Sequence, residues 1–268
     1  MDRYSDSLPG PVRCPEAVVV KRCEIAPGHH WMVVSAPELA RRARPGQFAQ
    51  VRCGEGWWPL MRRPFSLARI DPARGQVGFL FRVVGDGTRW LGARQPGQVV
   101  DLIGPLGKGF PPLPPGTVWL VAGGVGVAAL LPLAEQLGSR ARAMLGARTH
   151  SLLAGRDELI QTGAVVEVAT EDGSAGWRGQ VTELVQARLQ EERPAALVGC
   201  GPAGMLQELR LVAARYRIPC WISLEARLGC GVGACRGCAV PRSDGNGYLM
   251  VCSDGPVFAA GEVIPVEV

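Results

Sequence analysis

The sequence predicts an N-terminal antiparallel β-barrel domain, then an α/β domain with a doubly wound parallel sheet, and finally a small cysteine-rich module. Short β-prone segments separated by turns fill residues 14–112, a pattern typical of a small barrel. Buried-type strands alternate with helical segments over 113–225, which favours a parallel sheet covered on both faces. Residues 226–268 are rich in Gly and Cys and have little regular periodicity.

The barrel elements come first along the chain. The β-prone runs are 17–23, 30–35, 47–53, 65–70, 77–84 and 98–103. The segment Phe110–Gly116 reads FPPLPPG, and its prolines are incompatible with a helix interior or a central strand. We therefore place the boundary to the second domain there.

The second domain alternates regularly between strands and helices. Strands are predicted at 118–122, 143–147, 164–169, 196–200 and 220–224, and helices at 127–137, 151–160, 178–190 and 202–216. Five strands with intervening helices predict a doubly wound sheet, whose ligands bind beyond the carboxyl ends of the strands.

Composition excludes several classes of function. The net charge of +5 comes almost entirely from scattered arginines, with no basic run of the kind that binds nucleic acid. No run of about 18 apolar residues exists, so no transmembrane helix is expected. Residues 1–10 lack the apolar core of a secretory signal, so the nine cysteines predict metal or redox chemistry in a reducing cytoplasm.

Four cysteines near the C-terminus have the spacing of a plant-type [2Fe–2S] site. Four, two and thirteen residues separate Cys230, Cys235, Cys238 and Cys252 in turn. Neighbouring glycines would let backbone N–H groups approach the sulfurs and tune the potential. The alternative is a zinc site, but zinc modules usually present two short cysteine pairs and this chain has one. The other five cysteines are expected to be small buried hydrophobes.

Two segments of the barrel domain are candidates for flavin binding. The first is Arg63, Pro64, Phe65 and Ser66 at the start of a strand, and alone it could be a surface arginine followed by a turn. The second is Leu80, Phe81 and Arg82, followed by a glycine turn with Gly87 and Thr88 that opens a short helix. Such a helix start offers free N–H groups to a pyrophosphate.

Two glycine turns of the second domain are candidates for nicotinamide binding. Gly123, Gly124 and Gly126 follow a strand and open a helix, and Cys200, Gly201 and Pro202 end a later strand. The first turn lacks the complete dinucleotide fingerprint and could be an ordinary strand–helix turn. Glu171 or Asp172 could bind a ribose 2′-hydroxyl and favour NAD over NADP, although either could equally be a solvated loop residue.

The order of these motifs resembles the ferredoxin–NADP reductase superfamily. The resemblance implies that Arg63 pairs with a flavin phosphate, that Ser66 bonds the flavin ring region, and that Gly87 and Thr88 hold the FAD pyrophosphate. It also implies that the turn at Cys200 lies beside nicotinamide and flavin. Phe65 is an aromatic without the hydroxyl that this position often carries, so a hydrogen bond from it is lost.

Residues 228–240 and 251–258, with the tail Asp-Gly-Pro-Val-Phe, closely resemble the electron-transfer subunits of type B dihydroorotate dehydrogenase. The resemblance implies a heterotetramer in which an FMN-containing partner oxidises dihydroorotate during pyrimidine biosynthesis. Electrons would pass through the [2Fe–2S] cluster to FAD and then as hydride to NAD+. No general base and no catalytic side chain are expected, and His29, His30 and His150 lie outside every motif.

Three other interpretations stay open. The chain could be a paralogous subunit of an NADH-dependent ferredoxin:NADP oxidoreductase or a sulfide dehydrogenase, which differ mainly in their partner. It could be a stand-alone monooxygenase reductase, although the roughly 40 C-terminal residues are short for a complete ferredoxin domain. It could also be a zinc-binding interaction protein without enzymatic activity.

Overall fold

The computed structural model describes residues 10–266. The N-terminal segment expected to carry no secretory signal therefore lies almost entirely outside the described residues. Within the described range, no helix is both long and apolar enough to cross a membrane.

The first sheet has seven antiparallel strands in the order β4-β3-β7-β1-β2-β6-β5. Their bounds are β1 Val12–Ala26, β2 His29–Ser35, β3 Phe48–Val51, β4 Arg63–Ser66, β5 Arg69–Asp71, β6 Gln76–Arg82 and β7 Val99–Leu106. Two short helices accompany them, α1 Pro37–Arg42 and α2 Asp86–Gly92. An apolar core that includes Met32, Leu39, Phe79 and Leu102 fills the concave side.

The single strand predicted over 65–70 is wrong in detail, because the chain breaks it at Leu67 and Ala68 into β4 and β5. These two strands lie at opposite edges of the sheet. Three residue steps join Ser66 at the end of β4 to Arg69 at the start of β5 and span at most roughly 11 Å, so the edges must lie close together. The sheet is therefore curled into a half-barrel, as the predicted barrel requires.

The second sheet has the order β11-β10-β9-β8-β12-β13-β16, and all its strands are parallel except β16. The strands are β8 Val118–Gly123, β9 Ala141–Ala147, β10 Val165–Thr170, β11 Trp177–Arg178, β12 Ala196–Cys200, β13 Cys220–Ser223 and β16 Val257–Ala259. The helices are α3 Val127–Leu137, α4 Arg156–Gln161, α5 Val181–Arg188 and α6 Ala203–Tyr216. One apolar core packs α3 and α4 against the sheet, and another packs α5 and α6 against its other face.

Two predicted helices are shorter than expected. The helix predicted over 151–160 begins only at Arg156, because Gly155 has a φ of +84° that a helix interior excludes. The helix predicted over 178–190 spans Val181–Arg188, since Arg178 pairs in β11 and Gly179 has a φ of +133°.

Residues 226–266 form a small module with more regular structure than its sequence suggests. The hairpin β14 Ala239–Pro241 and β15 Tyr248–Met250 is followed by β16, which pairs antiparallel with β13. Cys238 and Cys252 share a buried core with Phe48 of the barrel and Ile222 of the second sheet. The module thus packs against both larger units, and the exact domain limits stay a prediction.

Candidate functional site

A cleft of about 460 Å³ lies between the half-barrel, the second sheet and the C-terminal module. Its barrel wall contains eight of the residues proposed from sequence for flavin binding: Arg63, Pro64, Phe65, Ser66, Leu80, Phe81, Arg82 and Thr88. Two sequence-distant segments therefore meet at one surface. The register of the sheet brings them there, because β4 and β6 are each held by a neighbouring strand, β3 and β2 respectively.

The remaining predicted flavin residue, Gly87, lies behind this wall rather than on it. A Cβ atom at Gly87 would lie 3.5 Å from Arg63 Cγ and Nε, and 3.2 Å from Cys53 Cβ. Thr88 Oγ1 accepts hydrogen bonds from the backbone N–H groups of Val84 and Gly85, which fixes the turn that opens α2. A guanidinium beside the start of a helix suits the pyrophosphate of a dinucleotide.

The two glycine turns proposed for the nicotinamide pack directly on each other at the carboxyl edge of the second sheet. A Cβ atom at Gly126 would lie 2.4 Å from the Cys200 carbonyl oxygen. One at Gly201 would lie 2.9 Å from the Gly123 backbone nitrogen, and one at Gly123 would lie 2.7 Å from Pro202 Cδ. This close backbone contact requires glycine at all three positions.

The two acidic residues proposed for ribose binding differ in the hydrogen bonds that their carboxylates accept. The Asp172 carboxylate accepts hydrogen bonds from the Ser174 hydroxyl and backbone N–H, at 2.6 and 2.9 Å. These bonds lower the pKa of Asp172. Glu171 is exposed and belongs to the same loop after β10. The Asp172 carboxylate is thus engaged within its own loop, and ribose binding by either residue stays a prediction.

The four C-terminal cysteines form two pairs. Cys238 Sγ and Cys252 Sγ are 3.4 Å apart and both residues are buried. The Cys230 thiol accepts a hydrogen bond from the backbone N–H of Cys235 at 3.4 Å. Cys235 is exposed and Cys230 is half-buried. One pair therefore faces outward and the other lies in the core.

The backbone supplies donors to both pairs. Val232 N–H donates to Cys230 Sγ at 3.4 Å, and Gly233 N–H donates to Cys252 Sγ at 3.1 Å. The φ of +81° at Gly233 aims this N–H at the sulfur and favours glycine. Backbone hydrogen bonds lower the pKa of Cys230 to about 6, whereas burial raises the pKa of Cys252 to about 12.

This arrangement distinguishes a binuclear cluster from a zinc ion. Among residues 10–266, no three His, Cys, Asp or Glu side chains converge as ligands of a single metal ion. Two irons that share four cysteines require two thiolates each, and the chain presents two pairs. The residues present therefore fit a [2Fe–2S] cluster better than tetrahedral zinc.

The cleft and the cysteine module are adjacent. Leu228 and Val251 line the cleft, and Val251 immediately precedes Cys252 in the chain. Val125 and Ala128, at the start of α3, line it from the second sheet. A flavin in the cleft would thus lie beside both the buried cysteine pair and the nicotinamide turns.

Two features of the site were not predicted from sequence. The loop before β4 exposes three large apolar side chains, with Trp57 at 88%, Trp58 at 75% and Leu60 at 69% of full exposure. Ser223 and Glu225, at and just after the end of β13, line the cleft opposite the flavin residues. The position of Glu225 just beyond the carboxyl end of a parallel strand is the signal that would have indicated it.

The other cysteines stand apart from the cluster. Cys53 and Cys200 are buried, while Cys14, Cys23 and Cys220 are half-buried. Burial raises the pKa of Cys53 and of Cys220 to about 12. The thiols of Cys53 and Cys220 are therefore protonated at neutral pH.

Comparison with known proteins relates at least 90% of the chain to one family. Residues 225–264 match the family described as the iron–sulfur cluster binding domain of dihydroorotate dehydrogenase B. The NAD+-dependent dihydroorotate dehydrogenase B electron transfer subunit of Desulforamulus reducens is 41% identical, over 93% of this chain and 97% of that protein. The subunit of the same name from Bacillus caldolyticus is 43% identical over 90% and 94%.

Solved structures agree on the fold. A structure of an NADH-dependent reduced ferredoxin–NADP oxidoreductase, described for flavin-based electron bifurcation, aligns with a TM-score of 0.84 and 33% identity. The alignment covers 93% of this chain and 90% of that one. A ferredoxin–NADP+ reductase from Neisseria gonorrhoeae, solved with bound FAD and NADP, aligns with a TM-score of 0.60 at 16% identity and supports the fold alone.

Proposed function

We propose that this chain passes electrons from a dihydroorotate-oxidising partner to NAD+ in pyrimidine biosynthesis. The reason is that the chain belongs to the family of dihydroorotate dehydrogenase B electron transfer subunits. One observation supports the proposal above all. A single cleft is lined by β4, which carries Arg63 and Ser66, by the carboxyl edge of the second sheet, and by Val251 next to Cys252. A flavin there would lie between the cluster and the nicotinamide.

Each group has its own residues. Arg63 holds a phosphate of FAD beside the start of α2, while Ser66 and Phe65 face its ring system. Cys230, Cys235, Cys238 and Cys252 hold the [2Fe–2S] cluster, and the turns at Gly124 and Gly201 hold NAD. A cluster carries single electrons and NAD+ accepts a hydride, so FAD supplies the conversion between the two.

The partner is an FMN-containing catalytic subunit, and the complex is a cytoplasmic heterotetramer of two chains of each kind. The loop with Trp57 and Leu60 supplies part of the docking surface. A Cβ atom at Gly229 would lie 3.3 Å from both Cys235 Sγ and Met61 Cε, so this loop adjoins the exposed cysteine pair. Val232, between the cysteines, is also 54% exposed. Apolar side chains around an electron-entry point suit a stable subunit interface.

Reconstitution tests the proposal. The chain, loaded with FAD and cluster, is mixed with a dihydroorotate-oxidising FMN subunit, and dihydroorotate-dependent NAD+ reduction is measured. We expect NADH formation that requires both chains. Absence of NADH formation, with FMN, FAD and cluster all confirmed spectroscopically in a stable complex, would contradict the proposal.

The second candidate is a subunit of an NADH-dependent ferredoxin:NADP oxidoreductase, favoured by the structural match over 93% of the chain. Its 33% identity is lower than the 37–43% shared with the curated dihydroorotate dehydrogenase subunits. Reduction of ferredoxin or NADP+ with NADH in the same reconstitution, without dihydroorotate oxidation, would favour this candidate.

A further inference from the structure

One buried amide of the barrel sheet has no partner for its hydrogen-bonding groups. Gln50 lies on β3 and is only 1% exposed. Both its amide nitrogen Nε2 and its amide oxygen Oε1 are buried, and neither has a hydrogen-bond partner among residues 10–266. Nearly all buried polar atoms of native proteins are hydrogen-bonded, so an amide with two unpaired ends requires a physical explanation.

The alternation of β3 directs Gln50 toward the cysteine module. Successive side chains of a strand point to opposite faces of the sheet. Ala49 and Val51 belong to the apolar core inside the half-barrel, whereas Phe48 shares a core with Cys252. Gln50 is two residues from Phe48, so it lies on the same outer face of β3, against which the module packs.

The Gln50 side chain reaches the loop that joins the first two cysteines. A Cβ atom at Gly231 would lie 2.9 Å from Gln50 Nε2 and 3.0 Å from Gln50 Cγ. Gly231 directly follows Cys230 and has a φ of +74°, so both the space and the backbone conformation favour glycine there. The backbone of the cysteine loop therefore passes directly over the Gln50 amide.

The backbone donors to the cysteine sulfurs all belong to this same loop. The N–H groups of Val232 and Cys235 donate to Cys230 Sγ, and that of Gly233 donates to Cys252 Sγ. Gln50 instead presents amide N–H donors from a strand of the barrel sheet. A donor fixed on a paired strand does not need to move with the loop.

We propose that Gln50 sets the reduction potential of the [2Fe–2S] cluster by donating an amide N–H to a sulfur of the site beside Gly231. Reduction adds a negative charge to the cluster, and a hydrogen bond to a charged acceptor strengthens with that charge. The Gln50 bond therefore favours the reduced cluster and raises its potential. The inference rests on the cluster-binding part of the proposed function, and it requires no partner subunit.

Replacement of the amide by an apolar side chain of similar length tests this assignment. Gln50→Met keeps an unbranched chain and removes the N–H donors. The isolated chain, loaded with FAD and cluster, is titrated anaerobically with redox mediators, and the reduced cluster is measured by electron paramagnetic resonance. At a fixed potential, the ratio of reduced to oxidised cluster should fall by about tenfold, the lower end for loss of a group that supports a metal ligand. For a one-electron couple this corresponds to a potential lower by about 59 mV. Gln50→Leu should give the same shift.

Gln47 supplies a matched control, because it is also buried but its amide is fully engaged. It donates to the Gly107 carbonyl oxygen and accepts the Arg44 backbone N–H, both at 2.8 Å. Gln47→Met should therefore destabilise the cluster-free chain in urea unfolding and leave the cluster potential unchanged. Gln50→Met should do the opposite, since it removes a buried amide that has no partner in the cluster-free chain. A purely structural role for Gln50 would not produce this reversal.

The hydrogen bond itself has a spectroscopic signature. After exchange into heavy water, electron–nuclear double resonance of the reduced cluster should detect a coupling to an exchangeable deuteron that Gln50→Met loses and Gln47→Met retains. A wild-type potential together with unchanged deuteron couplings in both Gln50 variants would overturn the assignment. Failure of both Gln50 variants to assemble a cluster that Gln47→Met still assembles would also overturn it, because Gln50 would then serve assembly and not the potential.

The proposed function fails on different results. If the wild-type chain assembles no cluster from iron and sulfide under anaerobic conditions, both the function and this assignment are wrong. If the potential shifts as expected but the reconstituted complex forms no NADH from dihydroorotate, the function is wrong and the role of Gln50 stands.

Discussion

The two cysteine pairs of the C-terminal module differ in almost every physical respect. Cys235 is exposed and Cys230 is half-buried, and backbone N–H groups lower the pKa of Cys230 to about 6. Cys238 and Cys252 are buried among apolar side chains, and burial raises the pKa of Cys252 to about 12. A cluster held by these pairs has one edge open to a partner and one edge directed into the protein.

The surroundings of each pair match this asymmetry. Met61 and Val232, next to the outer pair, are exposed apolar residues. Val251, next to the inner pair, lines the flavin cleft. One small module therefore suits both an entry point for electrons at its outer edge and an exit point at its inner edge.

Substitution of a cysteine ligand should have the greatest consequence, which is loss of the cluster. Cys252→Ser and Cys235→Ser should both abolish the visible spectrum of the cluster, because each removes one of four thiolate ligands. Only Cys252→Ser should also destabilise the module, by about 1–3 kcal/mol, since it leaves a hydroxyl in an apolar core. Urea unfolding of the cluster-free chains measures this difference, and equal stability of the two variants would contradict the inner–outer distinction.

The next effect concerns the outer edge. The double variant Trp57→Ala and Leu60→Ala should raise the dissociation constant for the FMN subunit by about 10²-fold or more, because truncating interface anchors costs about 2 kcal/mol each. Calorimetric titration of the partner measures it. Ile160→Ala, on α4 away from the module, is the matched control because Ile160 is also exposed at 47%. Unchanged affinity in the double variant would remove the loop from the interface.

The sequence predicts features that depend on residues close together in the chain, and it does not predict contacts between residues far apart in the chain. Cysteine spacing is local, so it indicates the cluster, and alternating strands and helices indicate the second sheet. Which cysteines form a pair depends on where the hairpin of β14 and β15 places Cys252 relative to Cys238. The spacing in the sequence does not reveal this position. The contact of Met61 with the cysteine loop joins residues far apart in sequence, and so does the meeting of Glu225 with the barrel wall. Such contacts follow from the packing of the three units.

The third prediction concerns the inner edge of the cluster. Electrons can leave the cluster at this edge only if FAD occupies the adjoining cleft. Arg63→Ala should weaken FAD binding by about tenfold to a hundredfold, since a hydrogen bond to a charged group contributes about 1.5–3 kcal/mol. The released fraction is measured by flavin fluorescence after gel filtration. Arg74→Ala, at the exposed turn between β5 and β6, is the control. Retention of FAD with wild-type affinity would show that Arg63 does not hold a phosphate.

The smallest effect is a difference in thiol reactivity after the cluster is removed. The thiolate is the reactive form, so Cys230 should be alkylated rapidly at neutral pH and more slowly as pH falls below about 6. Cys252 should stay unmodified at neutral pH, because it is buried and its pKa is raised. Mass spectrometry of alkylated peptides measures both sites, and equal labelling would remove the predicted distinction.

Electron entry through the cluster is tested most directly by single-turnover reduction of the complete complex. Dihydroorotate is added anaerobically to complexes that contain wild-type chain or Cys252→Ser, both with FMN and FAD bound, and flavin absorbance is followed. We expect both flavins to bleach in the wild-type complex. In the variant only the FMN should bleach, although NADH should still bleach the FAD. Bleaching of the FAD by dihydroorotate at the wild-type rate without a cluster would contradict the relay.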